Sequence, residues 1–391
     1  MKKVLVINLG WEQEPLIEKL SKREDCILYG IHYDNKPSLP KSFCEIRILD
    51  LRDIEGILSF ADEINPNAVI SDQCDYSLMA QALVAQKFNL PGPSIESAQL
   101  SNNKYLQRIK AKEKGILIPK FRLCVEINDI KEFTEEVGFP VIVKPIDNRG
   151  SFGVSKVNTI FEIEEAFFIA VKNSHSRMVL VEEFVHGQQI TVDSYVFKNV
   201  GIVSIALATK SLSKGVQVST RIVYPGEINK LLFNNSLKTN TNVNQSLGYS
   251  FGMIHSEYMI RANELYLIES SNRGGGVFTS EIVVPESSMI DIVEQYISDC
   301  LGYYTNLYRH PEHKEVILGF FDFRNGMVKN IVGWEEFIKN KNIIQGKLFF
   351  KVGDSLNKIT TDANRHGYFI FKGNNDEANK LTKKIEVQYE K

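Results

Sequence analysis

What this chain of 391 residues has little of closes off several classes of protein. Cysteine appears five times, at Cys26, Cys44, Cys74, Cys124 and Cys300, an odd number, scattered, and never in Cys-x-x-Cys spacing. That excludes a disulfide framework and a thiolate zinc site, and points to a reducing compartment, the cytoplasm. No segment approaches the length of a membrane span. The opening Met1-Lys2-Lys3 and its apolar run to Leu9 are too short for a signal peptide and run into Trp11-Glu12-Gln13-Glu14, so they read as a first strand. Charge of one sign is also lacking: the formal net charge is −2, which gives no basis for a nucleic-acid or membrane surface. The densest basic stretch, Lys104 to Lys120, reads mostly as a solvated helix face. Internal repeats and low-complexity tails are absent.

What remains is the composition of an ordinary soluble protein, 43% hydrophobic and 24% charged, with enough length for two or three domains. Residues 3 to about 100 alternate apolar runs with helical patterns: strands at Val4–Leu9, Cys26–Ile31 and Ala68–Ser71, and helices at Pro15–Ser21, Ile54–Glu63 and Tyr76–Phe88. This is the rhythm of a parallel sheet with crossover helices. A dinucleotide site would require Gly-x-Gly-x-x-Gly after the first strand, where only Gly10 stands. Pro91-Gly92-Pro93-Ser94 marks a boundary. Beyond it the pattern predicts a helix from about Ser97 to Lys114, a strand at Phe121–Val125 and a helix over residues 127–137. Strands follow at Val141–Lys144, Gly153–Val157, Met178–Phe184 and Ile190–Phe197, with a capping box at Thr159 and Glu162 opening a helix to Lys172. A helix occupies part of Phe233–Met253, and another runs from Ser287 or Ser288 to Leu301. From Glu315 short strands (Val316–Phe323, Lys347–Val352, Tyr368–Lys372) suggest a small α+β module. The expected divisions are 1–100, 101–305 with a lid of about 118–185, and 306–391.

The most informative stretch is Met253 to Arg273, which reads as a β-hairpin turning at Arg261-Ala262-Asn263-Glu264. Pairing centred on Asn263 sets Tyr258 across from Ile268 and Ile260 across from Tyr266 on one apolar face. On the other face Glu257 lies across from Glu269, and His255 from Ser271. Two opposed carboxylates repel unless a cation sits between them, and a hard divalent metal is the natural candidate. An exposed hairpin that tolerates two neighbouring acids is the alternative.

Three further constellations carry chemistry. Lys144 ends a buried strand and is followed by Arg149-Gly150-Ser151-Phe152-Gly153, a loop able to fold its N–H groups around phosphate oxygens; a tight hairpin with a surface lysine is the plainer reading. Val181-Glu182-Glu183-Phe184-Val185 runs into a bend at His186-Gly187, where strand-end backbone can read an adenine edge, or is simply a core strand. Glu269 to Gly276 combines an acid, the amide Asn272, the guanidinium of Arg273 and a glycine run that lets backbone approach a ligand. His310 and His313 have metal-pair spacing but sit in a polar connector and read as a surface loop.

In their order and spacing these features resemble the ATP-grasp superfamily over nearly the whole chain, and in particular carboxylate–amine ligases such as the L-amino-acid ligases and their carbamoyl-phosphate-synthetase-like relatives. The resemblance implies a mixed α/β and α+β architecture: a Rossmann-like N-terminal domain, a two-part nucleotide clamp and a small β-rich C-terminal module. It implies ATP and Mg2+, or Mn2+, as cofactors. Lys104 (in Ser101-Asn102-Asn103-Lys104) and Lys144 match lysines that hold ATP phosphates; Gly150, Ser151 and Gly153 match the lid loop. Glu182, Glu183 and Val185 match the adenine-reading linker, and Gln189 stands where a ribose-binding glutamate is usual. Lys210 is placed near the γ-phosphate. Glu257 and Glu269 match the magnesium ligands, and Arg273 the arginine that stabilises the acyl phosphate or grips substrate. Many relatives have Asn two residues after the second Glu, where this chain has Ser271; either Ser271 or a shifted Asn272 completes the metal shell.

The implied reaction activates a small carboxylate as an acyl phosphate and joins it to an amine, releasing ADP and phosphate. A bicarbonate-phosphorylating enzyme of carboxylase or carbamoyl-phosphate type and an ATP-binding protein without turnover are the alternatives. Partners are then small-molecule carboxylates and amines, with no nucleic acid or membrane; a homodimer is compatible with this. The substrate pocket is expected after Arg273, around Arg221 to Pro225, and in the N-terminal domain.

Overall fold

A computed structural model describes residues 1–213 and 218–390. The N-terminal segment forms a four-stranded parallel sheet in the order Glu45–Ile48, Cys26–His32, Lys2–Ile7, Ala68–Ile70. Its central strands are continuous apolar runs because helices Glu14–Ser21, Ile54–Ile64 and Asp75–Lys87 cover them; Leu5, Ile7, Ile31 and Val69 are fully buried. The strand Glu45–Ile48 lies at the edge, half exposed, and its short polar-flanked run gave no strand signal. The carboxyl ends of Lys2–Ile7 and Ala68–Ile70 lead into loops at Gly10 to Gln13 and Asp72 to Asp75, the side of a parallel sheet on which ligands bind.

The single helix expected from Ser97 to Lys114 is two helices, Ile95–Asn102 and Lys104–Glu113. Asn103 breaks the run with an extended backbone (φ −133°, ψ 103°) and caps the second helix by accepting from the Leu106 N–H at 3.0 Å. The break makes Lys104 a first-turn residue, and its own N–H reaches Ile146 O at 2.8 Å.

A second, four-stranded antiparallel sheet follows in the order Phe121–Cys124, Val179–Glu183, Val141–Pro145, Ser155–Val157. Helices Ile127–Val137 and Ile163–Lys172 close over it, and Ile130, Val141, Val143, Ile163 and Val181 make a separate core. The capping box expected at Thr159 does not form: Glu162 accepts instead from the Asn158 N–H and the Thr159 hydroxyl, at 2.9 and 3.1 Å, and one 3-10 turn precedes the α-helix that begins at Ile163.

The largest sheet is antiparallel and eight-stranded, in the order Glu264–Ser271, Gly252–Arg261, Gln188–Phe197, Gly201–Leu212, Ser219–Tyr224, Val316–Phe320, Gly367–Lys372, Ile343–Leu348. Its last three strands come from beyond residue 306. Val316–Phe320 pairs directly with Ser219–Tyr224, so the division expected at residue 306 does not interrupt the sheet. Helix Lys230–Leu247 covers one face through a buried polar seam: Asn240 donates to Ser194 and Ser204 and accepts from Tyr258, and Asn244 bonds Ser256 and Ser270. A fully satisfied network of this kind fixes one register of helix on sheet. The helix expected to begin at Ser287 or Ser288 starts instead at Ile292, capped by Asp291, after a short helix Val284–Ser288.

In the hairpin, Glu257 pairs with Glu269 and His255 with Ser271, as the alternation predicts. Beyond Glu257 the register moves by one: Tyr258 faces Leu267, Met259 faces Tyr266 and Ile260 faces Leu265. Ile268 is the extra residue of a β-bulge, and Ala262 and Asn263, both at positive φ (53° and 66°), make the two-residue turn. The bulge brings Ile268 and Glu269 to the same cleft, while Tyr258, Leu265 and Leu267 pack beneath the covering helix.

At the other end of the hairpin Gly187 lies so close that a Cβ there would stand 1.8 Å from Ile260 O. Gly187→Ala is therefore expected to force the two strands apart and lower stability by about 2 kcal/mol or more, read as a fall in the urea midpoint at unchanged slope.

Candidate active site

A cleft of about 1060 Å³ lies where the three larger sheets meet. Its floor is the hairpin face carrying His255, Glu257, Glu269 and Ser271; its roof is the small antiparallel sheet with the loop after Lys144.

Each acid of the floor is held by a base from another element. Lys210, on strand Gly201–Leu212, sets its Nζ 2.7 Å from Glu257 Oε1. Gln189 Nε2 donates to Glu257 Oε2 at 3.0 Å, so the amide placed at the ribose position by resemblance rests against the acid pair. Lys104 Nζ donates to Glu269 Oε1 at 3.0 Å and to Asn148 O at 2.7 Å, tying floor to roof. Burial alone would raise the Glu257 carboxyl, but Lys210 and His255 outweigh it and hold it far below the usual carboxylate range. Burial likewise works against the His255 cation, yet Asp193, 2.7 Å from Nδ1, lifts it to about 9, with Glu257 adding to the rise. Asp193 also accepts from the Tyr224 hydroxyl at 2.7 Å.

Asn272 is not where a shifted ligand would be. Its Nδ2 donates to Phe251 O and Met253 O at 2.7 and 2.9 Å, its N–H goes to Ser101, and it does not line the cleft. Ser271 does, because it keeps the pleat of His255's partner. Among the described residues no group of three His, Cys, Asp or Glu side chains gathers as a metal cage. The two carboxylates suit a cation that takes its other ligands from phosphate and water, which is how magnesium is usually held.

Under the roof, Glu182 is buried with Lys144 Nζ 2.7 Å from one carboxylate oxygen and Arg108 Nε 2.8 Å from the other, the latter contact short of hydrogen-bond alignment. Burial pushes Glu182 up, and Arg108 and Lys144 more than reverse it, holding the carboxyl low; burial draws Lys144 down, against the pull of Glu182. Only the backbone of residue 182 is thus left for an adenine edge. Glu183 gives a carboxylate oxygen to Arg261 at 2.6 Å, and Val185, buried, lines the cleft beside it. In the roof loop Gly150, Ser151 and Gly153 all have positive φ (60°, 60° and 76°), and a Cβ on Gly153 would meet the Asn173 side chain at 2.7 Å, so glycine is required there.

Arg273 is gripped by Asp75, Nε to Oδ1 at 2.7 Å and Nη2 to Oδ2 at 3.0 Å, at the start of helix Asp75–Lys87. Gly274 N–H donates to Asp72 at 2.9 Å, so both ends of this turn hang on the N-terminal sheet. Sequence reasoning missed Asp75 and Asp193. Asp193 had a signal, a lone acid in the apolar strand Ile190 to Phe197, and it pairs directly with His255. Also missed were Trp11 and Glu12 after the first strand and Phe349, Asp362 and Arg365 from the C-terminal segment, all lining the cleft. Of the stretch Arg221 to Pro225, Ile222 lines it and Arg221 does not.

A parallel-sheet domain, a small antiparallel lid and a large antiparallel floor around one cleft define the ATP-grasp fold, and residues 137–281 match the family model for the ATP-grasp domain. The chain carries that domain and along its length resembles the ligases built on it. It is 23% identical to the L-arginine-specific L-amino acid ligase of Bacillus subtilis over 320 residues, 80% of this chain and 76% of that one. Among solved structures it superposes on an L-amino acid ligase from Bacillus licheniformis with a TM-score of 0.85 at 18% identity, covering 100% of this chain and 99% of the other. It superposes on the biotin carboxylase domain of Hydrogenobacter thermophilus 2-oxoglutarate carboxylase, in complex with MgADP, ADP and bicarbonate, with a TM-score of 0.76 at 17% identity, covering 99% and 90%.

Removing Glu182 strands two buried cations. Glu182→Gln is expected to cost about 3–5 kcal/mol at neutral pH. Because the folded carboxyl titrates below the ordinary glutamate value of 4.5, that contribution is present in full above it and is lost as pH falls through the folded value. Urea denaturation from pH 7 to 3 should show the gap between wild type and variant narrowing only below about pH 4.5; a constant gap would refute the charged pairing.

Proposed function

We propose that the protein is an ATP- and magnesium-dependent ligase that activates a small carboxylate as an acyl phosphate and joins it to an amine. The observation that carries this reading is the opposed pair Glu257 and Glu269, facing the cleft with Lys210 and Lys104 already bound to them. Carboxylates and lysines so paired are poised to exchange partners: on nucleotide entry the lysines turn to phosphate oxygens and the acids take the metal. Magnesium would supply charge neutralisation between the β- and γ-phosphates. The similarity to ligases and carboxylases of this fold supports the same reading.

Within it, Lys104, Lys144 and Lys210 hold phosphate oxygens, and the loop Gly150 to Gly153 covers them. Glu182, Glu183 and Val185 offer backbone groups and apolar surface to adenine, and Gln189 reaches toward ribose. Arg273, oriented by Asp75, offsets charge on the transferring phosphoryl group. A carboxylate oxygen attacks the γ-phosphorus and ADP leaves. The amine nitrogen then attacks the carbonyl carbon, phosphate departs with the electrons of the C–O bond, and the nitrogen sheds a proton. Closure of the roof keeps water from the mixed anhydride.

Mixtures of amino acids and small acids supplied with Mg-ATP should release ADP and phosphate in a substrate-dependent way. AMP and pyrophosphate as products would sink the acyl-phosphate route, and ADP release driven by bicarbonate alone would favour the carboxylase reading. Glu269→Ala should lower kcat by at least about 100-fold, since a direct ligand matters more than the supporting groups around it, with the circular dichroism spectrum unchanged. Unaltered turnover would remove Glu269 from the metal site.

A further inference from the structure

The hairpin register sets the side chains of the cleft floor in two rows. Glu257 faces Glu269 in the first, and His255 faces Ser271 in the second. Residues i and i+2 of a strand stand about 6.6 Å apart on one face, so the rows are neighbours and not a single cage. Phosphoryl-transfer sites work with one divalent ion or with two, the pair held about 3.5–4 Å apart by shared ligands. The first row, two opposed carboxylates, suits one ion. A second ion would have to draw oxygen ligands from the second row.

That row has little to give. His255 presents an imidazole fixed from three sides. Its Nδ1 lies 2.7 Å from Asp193 and its Nε2 3.7 Å from Glu257 Oε1. Gly275 packs on the ring, where a Cβ would stand 2.9 Å from Nδ1, so the imidazole cannot swing aside to open room. Asp193 is sealed behind it: buried, its other oxygen taken by the Tyr224 hydroxyl at 2.7 Å, and off the cleft wall. The Asn272 amide is turned away onto the Phe251 and Met253 carbonyls. Ser271 alone remains, with one hydroxyl and no charge. Lysines already stand against the first row, Lys210 on Glu257 at 2.7 Å and Lys104 on Glu269 at 3.0 Å. A second divalent ion would add two charges that no further carboxylate of the floor meets.

We propose that the floor holds a single divalent ion, on Glu257 and Glu269, and that His255 and Ser271 bind a phosphate oxygen of the nucleotide directly, where a second ion would stand. An imidazole edge and a hydroxyl both donate to phosphate, and each faces the cleft from the second row. Asp193 is a positioning residue that acts through His255: by fixing Nδ1 it aims Nε2 across the floor. The inference rests on the ligase reading for its nucleotide and deepens that reading at the metal.

Titrating the full chain with Mn2+, a paramagnetic stand-in for magnesium, in saturating β,γ-imido-ATP counts the ions by electron paramagnetic resonance. One Mn2+ per chain is expected. Two, with the spin coupling of a close pair, would overturn the proposal, and so would hyperfine coupling from an isotope-labelled histidine nitrogen, which would make His255 a ligand. Ser271→Ala and His255→Gln should each weaken the nucleotide about 10-fold, the loss of one hydrogen bond to a charged group, and leave Mn2+ affinity of the nucleotide complex unchanged within about 3-fold. A larger fall in Mn2+ affinity, or nucleotide affinity unchanged in both variants, would overturn it too. Asp193→Asn, which still offers Nδ1 an acceptor, should keep more of the nucleotide affinity than Asp193→Ala; equal losses would remove Asp193 from that role. Where a variant folds poorly, the ion count on the unaltered protein decides alone. Two ions refute this inference and leave the ligase reading standing, whereas no nucleotide binding at all refutes the ligase reading and this inference with it.

Discussion

The structure turns on the repulsion between Glu257 and Glu269. Two carboxylates fixed on neighbouring strands cannot stand unneutralised in a half-buried cleft, and each draws a lysine from elsewhere in the chain. Lys210 arrives along the adjoining strands of the same sheet, and Lys104 from the first turn of a helix that exists as a separate helix only because Asn103 breaks the run before it. Lys104 also bonds the carbonyl of Asn148, so the floor's acid pair and the roof's loop share one cation. The N-terminal sheet is tied in by the same logic through Asp75 and Arg273.

Charge pairing of this density gives the cleft two uses for each group. The acids and bases that pair across the cleft are the ones that the proposed nucleotide and metal would claim. Binding would therefore exchange one set of ion pairs for another, a substitution that needs little rearrangement of the backbone and keeps the buried charges compensated throughout. Glu182 stands apart: it is sealed with Arg108 and Lys144, and its pairing is architectural before it is anything else.

Much of this was legible in the sequence where one residue type at one spacing decides the matter. The pairing of Glu257 with Glu269 follows from the two-residue period of a strand, and the parallel sheet from its alternating apolar runs. The bulge at Ile268 was not legible, because one extra apolar residue in the apolar run Leu265 to Ile268 leaves no mark on composition, and it shifts the register of everything between it and the turn. Asn272 was misplaced for a related reason: a face assignment holds only as long as the pleat does. The break at Asn103 hid inside a helical pattern whose periodicity survives on both sides. Glu12 and Trp11 looked like the polar end of a first strand; that such ends gather at the ligand side of a parallel sheet is a matter of topology, which pairs residues by fold and not by distance along the chain. The same holds for Arg365 and Phe349, which reach the cleft from loops beside strands Gly367–Lys372 and Ile343–Leu348, and those strands extend a sheet begun more than a hundred residues earlier.

That shared sheet has a consequence for how the chain could be cut or recombined. Ser219–Tyr224 is an interior strand only because Val316–Phe320 lies beside it. Excising the C-terminal segment would turn it into a bare edge, with a row of unpaired N–H and C=O groups beside the cleft, a template for pairing with another molecule. The floor of the cleft and the C-terminal strands are therefore inherited together: a graft that exchanges one must bring the other, or supply a strand of matching register in its place.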